Sequence, residues 1–295
     1  MKRVPGVCPH CSRGCNVQID YRPTGGIDRC KPRANEAVNQ CWMCDQGRYG
    51  FHHWTEEGRV TQPLARDGDG WTPLTPEAAL ARLRERAAGG VAAVTDAWPS
   101  LEELAALAAW VGVGQVAVVT QADGPEDDLL LRTDKAPNAA GARLLGLGAG
   151  TRTPEGACLL IVESDPLGKG VLYQQLEDRR RTAAFVVVLT PFAAAHYPEA
   201  DLVLPLAHWA EKDGLYVNFQ QRCQQSRAAL TPPGAARPLW WWATRMTDAP
   251  LASAREVYEQ VVRAHAPFRE TGYGEIGDQG LVLGGDGPTS PEERP

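Results

Sequence analysis

CLLIVE at 158–163 and FVVVLT at 185–190 are the runs that decide the fold. Neither alternates apolar with polar residues, as a strand with one wet face does. Unbroken Val, Ile and Leu runs are what a strand buried on both faces needs. Working outward, VAVVT (116–120), VAAVT (91–95) and the shorter DLVLP (201–205) repeat the pattern. Helix signals lie between them. TPEAALARLRERAA (75–88) sets Thr75 before Pro76 and spaces Leu80 and Leu83 for one helical face. SLEELAALAAWV (100–111) opens with Ser100 and Glu103, a capping box, and a further helix is predicted from about Gly170 to Arg181. Strands separated by helices give an α/β class with a doubly wound parallel sheet, a Rossmann-like arrangement.

Residues 1–62 read differently, being rich in Cys, Gly, Pro, Arg and Asn, with VQI at 17–19 as their main apolar run. Such a segment builds little core by itself, so a small Cys-rich β module tied together by a metal is predicted. Six of the eight cysteines fall between positions 8 and 44. Cys8, Cys11 and Cys15 follow the spacing C-x2-C-x3-C, and Cys44 comes 29 positions after Cys15. Three thiolates on one tight loop and a fourth from a distant turn suit the corners of a [4Fe-4S] cubane. Gly14, Gly47 and Gly50 would let backbone approach it and aim N–H groups at its sulfurs.

The alternative is zinc, with Cys8 and Cys11 paired to Cys41 and Cys44 as two C-x2-C knuckles. Against it, 29 residues intervene where that pattern prefers roughly 15 to 20, and Cys15 is left unexplained. Cys30 and Cys41 are unassigned in the cubane reading, either of them a candidate small hydrophobe, while Cys158 and Cys223 are predicted to be structural. His52 and His53 read as polar residues of a surface loop rather than ligands.

A net charge of -6 and a pI near 5.6 argue against nucleic acid as a partner. No apolar stretch approaches the roughly 20 residues a membrane-spanning helix needs. MKRVPGVCPHC at the start lacks an apolar h-region, so a cytoplasmic place without disulfides is predicted. GLGAG (146–150) does not complete G-x-G-x-x-G and reads as a turn. Glu211, Lys212 and Asp213 before Gly214 read as a charged turn between strands. The Trp240–Trp242 triplet is expected to divide between core and a partner subunit, a helix is predicted from about Ala252 to Ala264, and the Gly/Pro/Ser/Glu-rich tail from Thr271 is expected to be disordered.

VCPHCSRGCNV (7–17) with CDQGRYG (44–50) resembles the iron-sulfur segment that opens the molybdopterin oxidoreductase superfamily. WMCDQGRYGF (42–51) is its most specific piece. WTPLTPEAAL (71–80) and DLVLPLAHWAEKDGLYVNFQQRCQ (201–224) extend the likeness over roughly residues 4–245. Within that superfamily it looks most like the large iron-sulfur subunits of bacterial NADH-quinone oxidoreductase, respiratory complex I. The resemblance implies one [4Fe-4S] cluster on Cys8, Cys11, Cys15 and Cys44. It implies an electron-transfer and structural subunit peripheral to the inner membrane, with the cluster away from the main electron path. The partners implied are other subunits of a membrane-associated respiratory complex, including a separate chain with further iron-sulfur clusters.

No molybdopterin is expected. Catalytic relatives usually carry Lys two residues after the fourth cysteine, where this chain has Gln46, and Gln220 replaces an acidic residue although Asn218 and Arg222 remain. The length also leaves no room for the relatives' second α/β and β-barrel domains. The expected layout is a cluster module at 1–62, a reduced α/β domain at 63–245, and a helix and tail at 246–295. An accessory subunit of a hydrogenase or formate dehydrogenase, or a zinc-stabilised assembly subunit, is the alternative.

Overall fold

The computed structural model describes residues 1–54, 58–120, 124–149, 154–165 and 167–283. Three sheets occur among them. The first is an antiparallel meander of β1 (Lys2–Val7), β2 (Asn16–Arg22) and β3 (Gly26–Pro32), which the short helix α1 (Asp45–Tyr49) follows. The largest contains the hairpin β4 (Leu64–Asp67) and β5 (Gly70–Pro73), then β6 (Val91–Asp96), β7 (Val116–Val119), β8 (Cys158–Val162), β9 (Phe185–Thr190) and β10 (Leu202–Pro205). The third is antiparallel and joins β11 (Gly214–Val217), β12 (Arg222–Ser226) and β13 (Leu281–Val282).

The large sheet runs β5-β4-β10-β9-β8-β6-β7, and its last five strands in that order are parallel. The chain starts the parallel part at β6, steps outward to β7, then returns past β6 to β8, so the winding direction reverses between β6 and β8. The predicted doubly wound sheet is therefore present, with an antiparallel hairpin on one edge that the apolar runs did not foretell. The reason for unbroken apolar strands is visible in the core. Cys158, Leu160, Val162, Val187 and Leu189 face one apolar cluster, while Leu159, Ile161, Val186 and Val188 face another on the opposite side. A period of two thus feeds two buried faces.

Helices cover both sides. α2 (Pro76–Ala87) is N-capped by Thr75, whose side chain accepts from the Ala78 N–H, and α3 (Leu101–Val111) carries the complete Ser100–Glu103 capping box. With α4 (Ala139–Leu144), α7 (Leu239–Thr244) and α8 (Ala254–Gln260), α3 lies on the first face. The helix predicted over Gly170–Arg181 is two short ones, α5 (Val171–Gln175) and α6 (Glu177–Thr182), broken at Leu176. Leu172, Tyr173 and Leu176 pack on the second face, whereas α6 buries nothing. α8 likewise stops at Gln260 and continues as a 3-10 turn over Val262–Ala264.

Two other expectations are corrected. The tail from Thr271 is ordered as far as Leu283: Tyr273, Ile276 and Leu283 are buried and β13 pairs with β12, because these apolar side chains find the underside of the third sheet. The rest of the tail lies outside the described residues. Of the tryptophan triplet, Trp240 and Trp242 are core residues, and Trp241 is half-buried beneath the guanidinium of Arg245, 3.8 Å from its ring.

Candidate metal centre

β1 ends at Val7 and β2 begins at Asn16, so the first three cysteines occupy the loop between paired antiparallel strands. The Cys8 N–H donates to the Cys15 carbonyl (2.8 Å) and the Gly14 N–H to the Cys11 carbonyl (3.2 Å). Gly14 makes the turn possible with φ of +62°, a conformation L side chains rarely adopt. Cys44 arrives as the N-cap of α1, its Sγ accepting from the Gly47 N–H at 3.4 Å. A Cβ at Gly47 would lie 3.2 Å from the Cys8 Sγ, so glycine there lets α1 close over the loop. Gly50, expected to face the same site, gives room instead to the His10 ring.

The four thiols are electrostatic neighbours. Burial, then the thiols of Cys15, Cys11 and Cys44, push the Cys8 thiol far above its ordinary range. Burial, then Cys11 and Cys44, bring Cys15 up to about 12. Cys11 is raised by burial, against which backbone hydrogen bonds from Arg13 and Arg132 act. Thiols gathered in such a place can ionise only against a cation, so a metal bound there would displace the protons that hold them neutral. Among the described residues no three His, Cys, Asp or Glu side chains are gathered as a single metal ion would require.

Cys41, which the zinc alternative needs, is exposed, and so is not the small buried residue that Cys30 is. Cys30 is buried in β3, and Cys158 and Cys223 are buried in β8 and β12, as expected of structural thiols. His52 is exposed and His53 half-buried on a 3-10 turn. His10, to which no sequence pattern points, is buried; burial and then His53 hold it down to about 4, so it is neutral at pH 7.

Polar contacts from distant parts of the chain hold the loop from beneath. The Trp209 Nε1–H donates to the Val7 carbonyl (2.7 Å), Asn16 Nδ2 to Gln224 Oε1 (2.5 Å), and Gln224 Nε2 to the Gly14 carbonyl (3.0 Å). Phe219 N–H donates to the Ser12 carbonyl (2.9 Å), and Asn218 Nδ2 to the Arg13 carbonyl (3.3 Å). Asn218 Oδ1 also accepts from the Gln220 and Arg222 N–H groups. Arg222 extends its guanidinium to the carbonyls of Gln279 and Gly280.

Glu211 and Lys212 stand between strands as predicted, but both are buried rather than solvated. Arg59 grips Glu211 with both guanidinium nitrogens (2.7 and 2.9 Å), and Lys212 meets Glu103 at 2.5 Å. His208 is neutral, burial holding it far below its ordinary range; its Nδ1 accepts from the Ala210 N–H and its Nε2 donates to Glu211.

A second feature lies where the sheet reverses, at the carboxyl ends of β6 and β8, the usual crevice of doubly wound folds. Asp96 accepts from the Ser164 and Asp165 N–H groups, and burial brings it up to about 7. Glu163 is brought up to about 8 by burial, then by Asp96.

The chain thus packs a cysteine loop, closed by a fourth cysteine that caps α1, on a doubly wound sheet. Two family models match, the molybdopterin oxidoreductase Fe4S4 domain over residues 1–55 and molybdopterin oxidoreductase over residues 152–248. Both are models of molybdopterin oxidoreductase domains, which the chain matches over these two stretches.

Among curated proteins, an NADH-quinone oxidoreductase subunit of Streptomyces coelicolor is 30% identical over 185 residues, covering 59% of this chain and 20% of that protein. The Escherichia coli protein of the same name is 36% identical over 80 residues, covering 27% of this chain and 9% of its own length. The alpha subunit of F420-dependent formate dehydrogenase 2 of Methanococcus maripaludis is 30% identical over 130 residues, covering 42% and 19%. The matched stretches thus span a fifth or less of these relatives. Acetylene hydratase from Pelobacter acetylenicus shares the fold, with a TM-score of 0.53 over 82% of this chain and 68% of that one, at 10% identity.

Proposed function

We propose that Cys8, Cys11, Cys15 and Cys44 hold one [4Fe-4S] cluster, and that the chain is an electron-transfer and structural subunit of a complex I-type NADH:quinone oxidoreductase. The observation that carries this reading is the meeting of three loop thiols with the Cys44 thiol across Gly47, in a segment that matches the Fe4S4 domain. The thiol donor set and the glycine at the point of closest approach fit a cubane. Bound there, the cluster supplies a one-electron carrier.

The chain's own residues do the rest. Residues 1–62 form the module that positions the thiols, and residues 63–245 the scaffold on which it is mounted. Backbone N–H groups at Gly47, Arg13 and Arg132 point at sulfur and stabilise its negative charge. Burial of three cysteines excludes water. Cys44 is half-buried, with exposed Trp42 and Tyr49 beside it in the chain, so that edge is the one a partner's redox centre approaches most closely. The partners are other subunits of a respiratory complex, including a chain bearing further iron-sulfur clusters. Among the described residues no helix is long and apolar enough to cross a membrane, in keeping with a peripheral place on the cytoplasmic side.

A molybdenum cofactor is the second reading, favoured by the match over 152–248. The residues available fit it poorly: Gln46 stands where relatives carry Lys, Asn218 is consumed in capping a turn, and Arg222 is bound to carbonyls of the C-terminal segment. We therefore take the chain to carry none. Anaerobic purification tests all three readings. About four iron and four sulfide per chain, with an EPR signal on reduction, is expected; one zinc and a colourless sample would sink the cluster, and bound molybdenum or pterin fluorescence would restore the second reading.

A further inference from the structure

Residues 124–136 fold into a self-contained loop that docks on the cysteine loop, and one buried cation closes it. Asp127 Oδ1 accepts from the N–H groups of Leu129, Leu130 and Leu131 at 3.0, 2.5 and 2.8 Å, and Gly124 N–H donates to the Thr133 carbonyl at 3.1 Å. The Lys135 ammonium then spans the loop, donating to the carbonyls of Pro125 and Arg132, both at 2.6 Å. Its stem runs directly over Gly124, where any Cβ would collide with it.

The loop is fastened to the candidate centre on two sides. Ser12 N–H donates to the Asp134 carbonyl (2.8 Å), and the Arg13 side chain donates to the carbonyls of Leu130 (3.1 Å) and Leu129 (2.9 Å). Lys135 therefore directly follows the residue whose carbonyl bonds Ser12, the neighbour of Cys11, and its ammonium is held on the carbonyl of Arg132 in the same docked loop. It is buried, and among the described residues no carboxylate forms an ion pair with it. Its two hydrogen bonds are to carbonyl dipoles, which leave its net charge in place, and low-dielectric surroundings lengthen the reach of that charge.

We propose that Lys135 is a positioning residue for electron transfer, whose fixed charge raises the reduction potential of a cluster held by Cys11 and its partners. The inference rests on the cluster reading above. When the cluster accepts one electron from a donor centre on a partner subunit, it gains one negative charge, no bond changes and no proton need move. A nearby cation stabilises the reduced form more than the oxidised one.

The test uses the whole chain, purified anaerobically and titrated with dithionite and mediators while the reduced cluster is followed by EPR. Lys135→Gln keeps donors for the two carbonyls and removes the charge; Lys135→Arg keeps the charge. The expected result is full iron in both, a lowered midpoint in Lys135→Gln, and a midpoint near that of the unaltered chain in Lys135→Arg. An unchanged midpoint in an iron-replete Lys135→Gln protein would overturn the proposal, as would loss of iron from both variants, which would make Lys135 a folding residue only. Absence of iron-sulfur from the unaltered chain would instead remove the cluster reading itself.

Discussion

Along Val186–Leu189 in the large sheet, successive side chains enter two apolar clusters in turn, and nearly every neighbour is another aliphatic group. Along Cys8–Asn16 in the cysteine loop, the buried neighbours are Asn35, Asn39, Asn218, Gln224, Arg13 and His10, and the bonds between them are directional. The sheet is stabilised by area removed from water, which tolerates small changes of shape. The loop is stabilised by matched donors and acceptors, each of which becomes a liability if its partner is lost. The two regions share one continuous core through Val7, Val17 and Ile19, yet they should fail differently.

The largest effect should come from the centre. Cys8→Ser is expected to abolish iron binding and make residues 8–50 sensitive to protease, while far-UV circular dichroism shows the parallel sheet intact; a variant that keeps its iron would refute the assignment of that ligand. In the apolar region, Trp242→Ala should lower stability by about 3–5 kcal/mol through the cavity it leaves, measured by denaturant unfolding, with metal content unchanged. Lys212→Met should cost about 3–5 kcal/mol because it strands Glu103 in the interior without its cation; a milder loss would mean that water reaches Glu103.

Glu102 provides a pH test of the polar side of that core. It is fully buried, accepts from the Leu215 N–H, and burial brings it up to about 8 from an ordinary 4.5. Between those values the folded chain holds a proton that the unfolded chain releases, so stability falls as pH rises. Glu102→Gln should therefore gain about 1–3 kcal/mol over the parent at pH 8 and nearly nothing at pH 4.5, as thermal unfolding across that range would show. The smallest change is Ser100→Ala, which removes the α3 cap and should cost about 1 kcal/mol, read as a small drop in Tm.

Much of the sheet was legible because its signals are local. A continuous apolar run needs only five residues to declare that both faces are covered, and Thr75, Ser100 and Glu103 act within one turn of the helices they start. The break at Leu176 leaves no local mark because α5 has a face to bury and α6 has none, a difference set by where the sheet ends. The edge hairpin of β4 and β5 leaves none because antiparallel addition to β10 requires no apolar run on the outer strand.

At the centre, cysteine spacing by itself put forward Cys8, Cys11, Cys15 and Cys44, since a tight loop can present three thiols wherever it is placed, and it left zinc on Cys8, Cys11, Cys41 and Cys44 as the rival. The flanking CDQGRYG pattern and the downstream WAEKDG segment weighed against zinc; in the fold Cys44 caps α1 and Cys41 is exposed. Gly14 and Gly47 apart, what surrounds those thiols was decided by tertiary structure. Residues 121–157 carry no periodic signal, yet Asp134 bonds Ser12 and Leu130 bonds Arg13, while from further along the chain Trp209 bonds Val7 and Gln224 bonds Asn16. Such contacts join residues some 120 to 210 positions apart, and which of them form depends on the order in which the strands assemble, a property of the whole sheet and not of any window of sequence.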